Sequence, residues 1–215
     1  MIPNVKSPRR YDSPLRQAQA RRTQETVLDA AQHHFATTGY AATIGAIADE
    51  AGVSVDTIYK TFGGKPGLVR AVYERGLKGQ GPGPAYQRSD DMRAHETNPK
   101  TIMRKWGALT AEVASEVTPI RLLMRSAAAT DPDIAALLRE MNDERLNRMR
   151  HHARFLANRG YLRDGVSVAQ ATDILWTCSS AEIYELLVVE RGWSLSRFGR
   201  FIAEFMIAAL LSESQ

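Results

Sequence analysis

Residues 51–65 read AGVSVDTIYKTFGGK, and the glycine near their start decides the fold. Gly52 suits the left-handed conformation that stops a helix abruptly, which residues carrying a Cβ adopt at a cost of about 1 kcal/mol or more. Ser54 is a capping side chain for a second helix, and Val53 and Ile58 stand at the spacing of a hydrophobic staple. Ala48, four residues before the glycine, offers the small surface that two closely crossing helices need. The stretch therefore predicts short helices at about 43–51 and 54–62 joined by a tight elbow, a helix-turn-helix. Ile44, Ile47, Ala51, Val53, Ile58 and Phe62 can share one small core with Val27, Ala31 and Phe35. Val55, Asp56, Tyr59 and Lys60 are left on the outer side. A single helix with an outward polar face fits the major groove of duplex DNA.

Charge supports that reading. Residues 1–78 hold 11 Lys/Arg against 7 Asp/Glu, an excess of four that equals the whole net charge of the 215-residue chain. A positive excess confined to one third is the footprint of a polyanion-binding face, although a solvated surface can also cluster charge. The longest apolar run, residues 205–211, is far short of the ~20 that span a bilayer. The N-terminus lacks the apolar segment of a signal peptide, and one cysteine, Cys178, rules out an intrachain disulfide. The expectation is a soluble cytoplasmic protein without membrane contact.

Outward from the elbow, residues 1–20 carry three prolines, Lys6, Arg9, Arg10 and Arg16 with no apolar period, and read as a flexible basic arm. The arm either reaches the minor groove or remains a solvated tail. Residues 21–78 form the expected DNA-binding domain, with a first helix ending at Gly39 and a fourth, connecting helix at about 66–78. Residues 79–99 break all periodicity and read as a linker. Residues 100–215 read as a second, helical module, and the fold class is all-α. Helix starts are expected at Asn98-Pro99, Thr118-Pro119 and Asp131-Pro132, each a capping side chain before a proline, and at Ser167 and Ser194.

Residues 27–75 resemble the DNA-binding domain of tetracycline-repressor (TetR) family regulators. The likeness runs without a gap through Leu28-Asp29-Ala30-Ala31, Phe35, Gly39-Tyr40, Thr43, Ile47-Ala48, Ala51-Gly52-Val53-Ser54, Ile58-Tyr59, Phe62, Lys65 and Leu68. It implies a three-helix head, a divergent helical C-terminal domain, a homodimer, and ligand-controlled release from a double-stranded DNA operator, usually in repression. By the same resemblance Thr43 is a phosphate contact and cap, Tyr59 and Lys60 touch phosphates or bases, and Lys65 contacts a phosphate. Ser54, Val55, Asp56 and Thr57 complete the expected DNA face. Asp56 either accepts from cytosine N4 or serves as a charge at a helix N-terminus. There are three departures from the family pattern: Gly45-Ala46 denies Thr43 a capping box, Gly64 stands where serine is common, and Pro66 replaces a frequent glutamate.

In the second module, helices of about 168–190 and from Ser194 onward are apolar on more than one face. Such helices need a second cover, which another subunit can supply. Ile183, Leu187, Phe198, Phe201, Ile202 and Phe205 are the expected dimer contacts; an ordinary buried pair in a monomer is the alternative. Met103, Trp106, Leu109, Thr110 and Val113 share a stripe that, with Met124, Met141 and Trp176 opposite, is expected to line a pocket for a small hydrophobic effector. Any one of them could equally be plain core. Glu116 continues the stripe and could attract a lipophilic cation.

Catalysis is not expected, and neither is a cofactor or metal. Gly63-Gly64-Lys65-Pro66 lacks both the hydroxyl and the first glycine of a phosphate loop. His33-His34 and His151-His152 are adjacent pairs that point to different sides of a helix, and no Gly-x-Ser-x-Gly occurs. A constitutive or architectural DNA binder with no ligand is the remaining rival.

Overall fold

The computed structural model describes residues 14–212. The head is built from α1 (Pro14–Thr38), a short 3-10 turn, α2 (Ile44–Ala51), α3 (Val55–Phe62) and α4 (Lys65–Lys78). The second module follows as α5 (Ala85–His95), α6 (Pro99–Ala127), α7 (Pro132–Asn158), α8 (Val168–Cys178), α9 (Ala181–Tyr184) with a π-helical turn at Glu185–Glu190, and α10 (Leu195–Leu210). No strand forms among the described residues; Leu162 and Leu211 make a single antiparallel bridge. The fold is all-α, as expected.

Capping chemistry sets most boundaries. Asn98 accepts from Thr101 N, Asp131 from Asp133 N and Ile134 N, and Ser194 from Arg197 N. Ser167 and Gln170 form a complete capping box.

Four boundaries differ from expectation. First, α1 begins at Pro14, so residues 14–20 are helical rather than part of an arm. Pro14 suits a first helical turn and the following Leu, Arg, Gln and Ala residues are good helix formers. All seven are exposed, so no apolar period marks them. Lys6, Arg9 and Arg10 lie outside the described residues.

Second, α5 occupies the middle of the expected linker. Its buried face is only Ala85 and Ser89, and Arg88–Glu112 and Asp90–Arg148 ion pairs fasten it. Neither feature produces hydrophobic periodicity.

Third, Thr118-Pro119 does not start a helix; Pro119 lies inside α6. Proline there denies the Ser115 carbonyl its donor. Burial of Val117, Thr118, Ile120 and Arg121 on both sides holds the helix through it.

Fourth, the expected 168–190 helix is interrupted after Cys178. Ser180 N donates to the Thr177 carbonyl, and the freed Trp176 carbonyl accepts from Arg145 Nη1 at 2.5 Å. An arginine thus takes the place of the intrahelical donor.

Two cores result. One joins the head to α6 and α7 through Val72, Tyr73, Val117, Ile120, Met124, Ile134 and Met141. The other packs α6, α7, α8 and α10 around Ile102, Met103, Leu156, Phe198 and Ile202. Gly107 of α6 and Gly199 of α10 set the closest crossing: a Cβ on Gly107 would stand 2.4 Å from the Gly199 carbonyl oxygen. No helix among the described residues is long and apolar enough to cross a membrane.

Candidate nucleic-acid interface and inner cavity

Gly52 adopts φ 65° and ψ 33° and its N–H bonds back to α2, while Val53 N donates to the Ala48 carbonyl at 3.0 Å. Those bonds close the elbow as a left-handed cap. Ser54 Oγ accepts from Thr57 N at 3.1 Å and lies 2.9 Å from Thr57 Oγ1, so both hydroxyls serve the start of α3. Thr43 Oγ1 accepts from Ala46 N at 3.1 Å without a reciprocal partner. Ile58 is buried, with Val53 packed against the same core, which is the expected staple.

The outer side of α3 is as read from its spacing. Val55, Asp56, Tyr59 and Lys60 are exposed. Asp56 and Lys60 pair with each other at 2.6 Å, one turn apart, which gives Asp56 a local partner in the absence of DNA. The Tyr59 ring lies over Gly64, 3.3 Å from where a Cβ would sit. Gly64 itself adopts φ 110°, a conformation serine would find strained, which accounts for glycine there.

Lys65 is placed differently from expectation. Its ammonium donates to the Tyr40 carbonyl and stands 4.1 Å over the Tyr40 ring, and burial lowers its pKa. Tyr40 Oη in turn donates to Asp131 Oδ2 at 2.6 Å. Burial, then that bond, raise the phenol's pKa, and the same bond lowers that of Asp131. Lys65 therefore turns onto Tyr40, whose hydroxyl ties the head to the cap of α7, instead of extending outward. Arg75 is likewise turned inward, onto Asp29 at 2.7 Å. Arg16, Arg21 and Arg22 are exposed along the N-terminal half of α1.

Between α4, α6, α7 and α8 lies a cavity of about 330 Å³. Trp106, Leu109, Thr110 and Val113 line it, as expected from their stripe. Met103, Met124 and Met141 do not; the first is in the second-module core and the other two are in the core shared with the head. Trp176 is also outside the lining and sits under the Arg145 guanidinium, 4.4 Å away. Glu116 faces away and accepts from Gln80 Nε2.

Residues that periodicity missed complete the wall. Tyr73 and Leu77 come from α4, Thr118 and Arg121 from α6, Arg145 and His152 from α7, and Cys178 from α8. His152 packs against Trp106 with its ring tilted, 4.4 Å between ring centroids. Burial first, then Arg148 and Arg93, push its pKa well below 6.5, so the ring is neutral. Burial raises the Cys178 thiol to about 12, which keeps it protonated and unreactive. One signal for Arg121 was present: it continues the Val117–Met124 face of α6, but a helix start expected at Thr118 hid that continuity.

Phe201 and Phe205 of α10 are 40% and 45% exposed, and Leu186 and Val189 beside them 53% and 63%. Phe201 stacks on Phe205 and meets Trp193 edge to face. Phe198 and Ile202, also expected at a dimer contact, instead point inward and are fully buried. Ile183 and Leu187 are half-buried against the second core. The two faces of α10 divide at i, i+4 spacing: 198, 202 and 206 inward, 201 and 205 outward.

Over residues 27–72 the chain matches the model of a family described as bacterial regulatory proteins, tetR family. No curated protein matches the chain. Among solved structures, SmeT in complex with triclosan is 21% identical with a TM-score of 0.69, covering 89% of this chain and 92% of that one. SmeT is the repressor of the Stenotrophomonas maltophilia multidrug efflux pump SmeDEF. FadR from Bacillus subtilis in complex with stearoyl-CoA is 15% identical with a TM-score of 0.68, covering 86% and 98%. FadR from Bacillus halodurans, a fatty acid degradation regulator, is 16% identical with a TM-score of 0.69, covering 86% and 94%. At these identities the likeness is one of fold.

Proposed function

We propose that the chain, whose DNA-binding head matches the tetR family and whose fold is shared with SmeT and FadR, is a ligand-responsive repressor. In this reading it binds a palindromic operator as a homodimer and is released when a small, largely apolar effector enters the inner cavity. Thr43, Val55, Asp56, Thr57, Tyr59 and Lys60 form the DNA face, with Ser54 setting the direction of α3. The exposed ridge of Leu186, Val189, Phe201 and Phe205 is the dimer contact. Two copies of α3 related by a two-fold axis can read half-sites about 34 Å apart or a multiple of that.

The observation that carries this reading is α4, which touches both sites. Its N-terminal turn packs on the end of α3 so closely that a Cβ on Gly67 would overlap the Phe62 carbonyl. About two and three turns on, Tyr73 and Leu77 line the cavity. An occupant pressing on those side chains biases the tilt of α4, and α3 moves with it. If the spacing of the two heads changes, both cannot engage and avidity is lost. A differential affinity of roughly 1–3 kcal/mol between the two states is enough for regulation. The complexes of SmeT with triclosan and FadR with stearoyl-CoA support an apolar effector.

Gel shift on the DNA flanking the protein's own gene, at physiological salt, tests the reading. The expected result is a saturable shift that Tyr59→Ala weakens by about tenfold or more. Indifference to every duplex offered, or a strictly monomeric chain, would end it. A constitutive binder would shift the same DNA but keep it under every effector tried.

A further inference from the structure

The inner cavity joins an apolar body to two guanidiniums that form no ion pair among the described residues. Trp106, Leu109 and Leu175 supply apolar wall, while Arg121 and Arg145 border the space from α6 and α7. Arg121 is 6% exposed; its Nη2 donates to Asn142 Oδ1 at 2.7 Å, and Nε and Nη1 have no hydrogen-bond partner. Arg145 donates through Nη1 to the Trp176 carbonyl and to Ser179 Oγ, and its Nε has no partner. All these acceptors are neutral oxygens. Beside them the buried Thr118 hydroxyl also lacks a partner.

No acid among the described residues comes within ion-pair distance of either arginine. Glu144 at the lining reaches Arg70 at 3.7 Å, Asp90 pairs with Arg148, and Glu182 hydrogen-bonds Arg125 at 3.3 Å while feeling the charge of Arg121 from farther away. Burial, and after it the neighbouring charge of Arg121, lower the Arg145 pKa to about 10, which leaves that guanidinium protonated near neutral pH. Two like charges withdrawn from water into an apolar space are costly unless a counter-charge arrives. A guanidinium fork is matched by the two oxygens of a carboxylate.

We propose that the effector is an amphipathic anion, a carboxylic acid on an apolar chain or ring, with its carboxylate between Arg121 and Arg145 and its tail along Trp106 and Leu109. Thr118 adds a hydroxyl donor to the same oxygens. The proposal rests on reading this cavity as the effector site and fixes the sign of the effector's charge. A volume of about 330 Å³ is at the lower end of small-molecule sites, about 300–1,000 Å³, a scale suited to a medium-length acid.

Calorimetry on the full chain near neutral pH, with ligands that share a tail and differ in head charge, tests it. Octanoate, decanoate, dodecanoate and phenylbutyrate are the acids; methyl decanoate and decyltrimethylammonium are the neutral and cationic controls. Decanoate is expected to bind at least about tenfold tighter than its ester, and the cation weakest. Arg121→Met and Arg145→Met are each expected to erase the preference for acid over ester. Should either variant fail to fold, the wild-type ranking still decides. Ester or cation binding as tightly as decanoate, or no binding by any of the four acids, overturns the proposal. Gel shift is read separately. A chain that binds its flanking DNA and is released by the cation keeps the regulator reading and loses this one. A chain that binds decanoate but ignores DNA does the reverse.

Discussion

The head and the cavity wall treat polar groups in opposite ways. In the head, Thr43 and Ser54 cap helices, Lys60 pairs with Asp56, Lys65 closes on Tyr40, and Arg75 binds Asp29. Around the cavity, Thr118, Arg121, Arg145, His152 and Trp106 each keep a buried polar atom with no hydrogen-bond partner. Among the described residues, the one such atom in the head is His34 Nε2, which lies 3.0 Å from Glu50. A surface that must present one fixed shape to DNA gains from internal satisfaction, because each bond removes an alternative conformation. A cavity that is to respond to a ligand gains from groups whose best partner arrives with that ligand. Satisfied polar groups are therefore expected where the molecule is rigid, and orphaned ones where it listens.

The largest effect is expected in the head. Ile58 is fully buried where α2, α3 and α4 meet, and Ile58→Ala should cost about 2–5 kcal/mol by large-to-small substitution. Urea denaturation measures the loss, and operator affinity should fall with it because Ile58 is the one fully buried side chain of α3. Since the same core runs on through Ile120 and Met124, the head is not expected to melt as a separate transition. A loss below about 1 kcal/mol would mean that the head is less tightly specified than its caps suggest.

The cavity should respond with the opposite sign. Arg121→Met replaces a buried guanidinium lacking a counter-ion by an apolar side chain of similar length. Replacing buried charges in this way is commonly neutral or stabilising by about 1–4 kcal/mol. Denaturation of the ligand-free protein should show that. A marked destabilisation would instead make Arg121 a structural member of the wall, satisfied in some way the contrast above denies.

How far each region could be read from sequence follows the same division. The elbow was legible because its determinants are local: a glycine, a cap three residues from the N–H that donates to it, and apolar residues at i, i+3 and i+4. Caps at Asn98, Asp131, Ser167 and Ser194 were legible for the same reason. The inward turn of Lys65 was not, because its partner Tyr40 is 25 residues away and Tyr40 is itself held by Asp131, 91 residues from it. Pro119 misled because local preference names a helix start while burial on both sides of it carries α6 through. The cavity's arginines were hidden because hydrophobic periodicity counts a charged residue as outward-facing. Phe198 and Phe201 look alike as residues, and only the rotation of α10 against α6 separates core from exposed ridge.

The smallest effect concerns His152 and sharpens the comparison by titration. Its ring is buried against Trp106, with Nε2 3.2 Å from Ser89 Oγ and Nδ1 unpartnered. Burial, with Arg148 and Arg93 facing it and only Asp90 opposing, lowers its pKa in the fold. The unfolded chain then binds the proton first. The stability due to the neutral ring is present in full above the unfolded value of 6.5 and drains away as pH falls below it. One such group costs about 1.4 kcal/mol per pH unit once the pH is below that value. Urea denaturation of wild type and His152→Gln, from about pH 7.5 down to about pH 5.5, should therefore show the difference between them shifting toward the variant by roughly 1 kcal/mol. The exposed neighbour His151 is shifted the same way and cancels in the subtraction. Parallel curves would mean that the imidazole accepts its proton with the fold intact. The cavity wall would then be wet enough to hold a new charge, and its arginines would not need an anion to balance them.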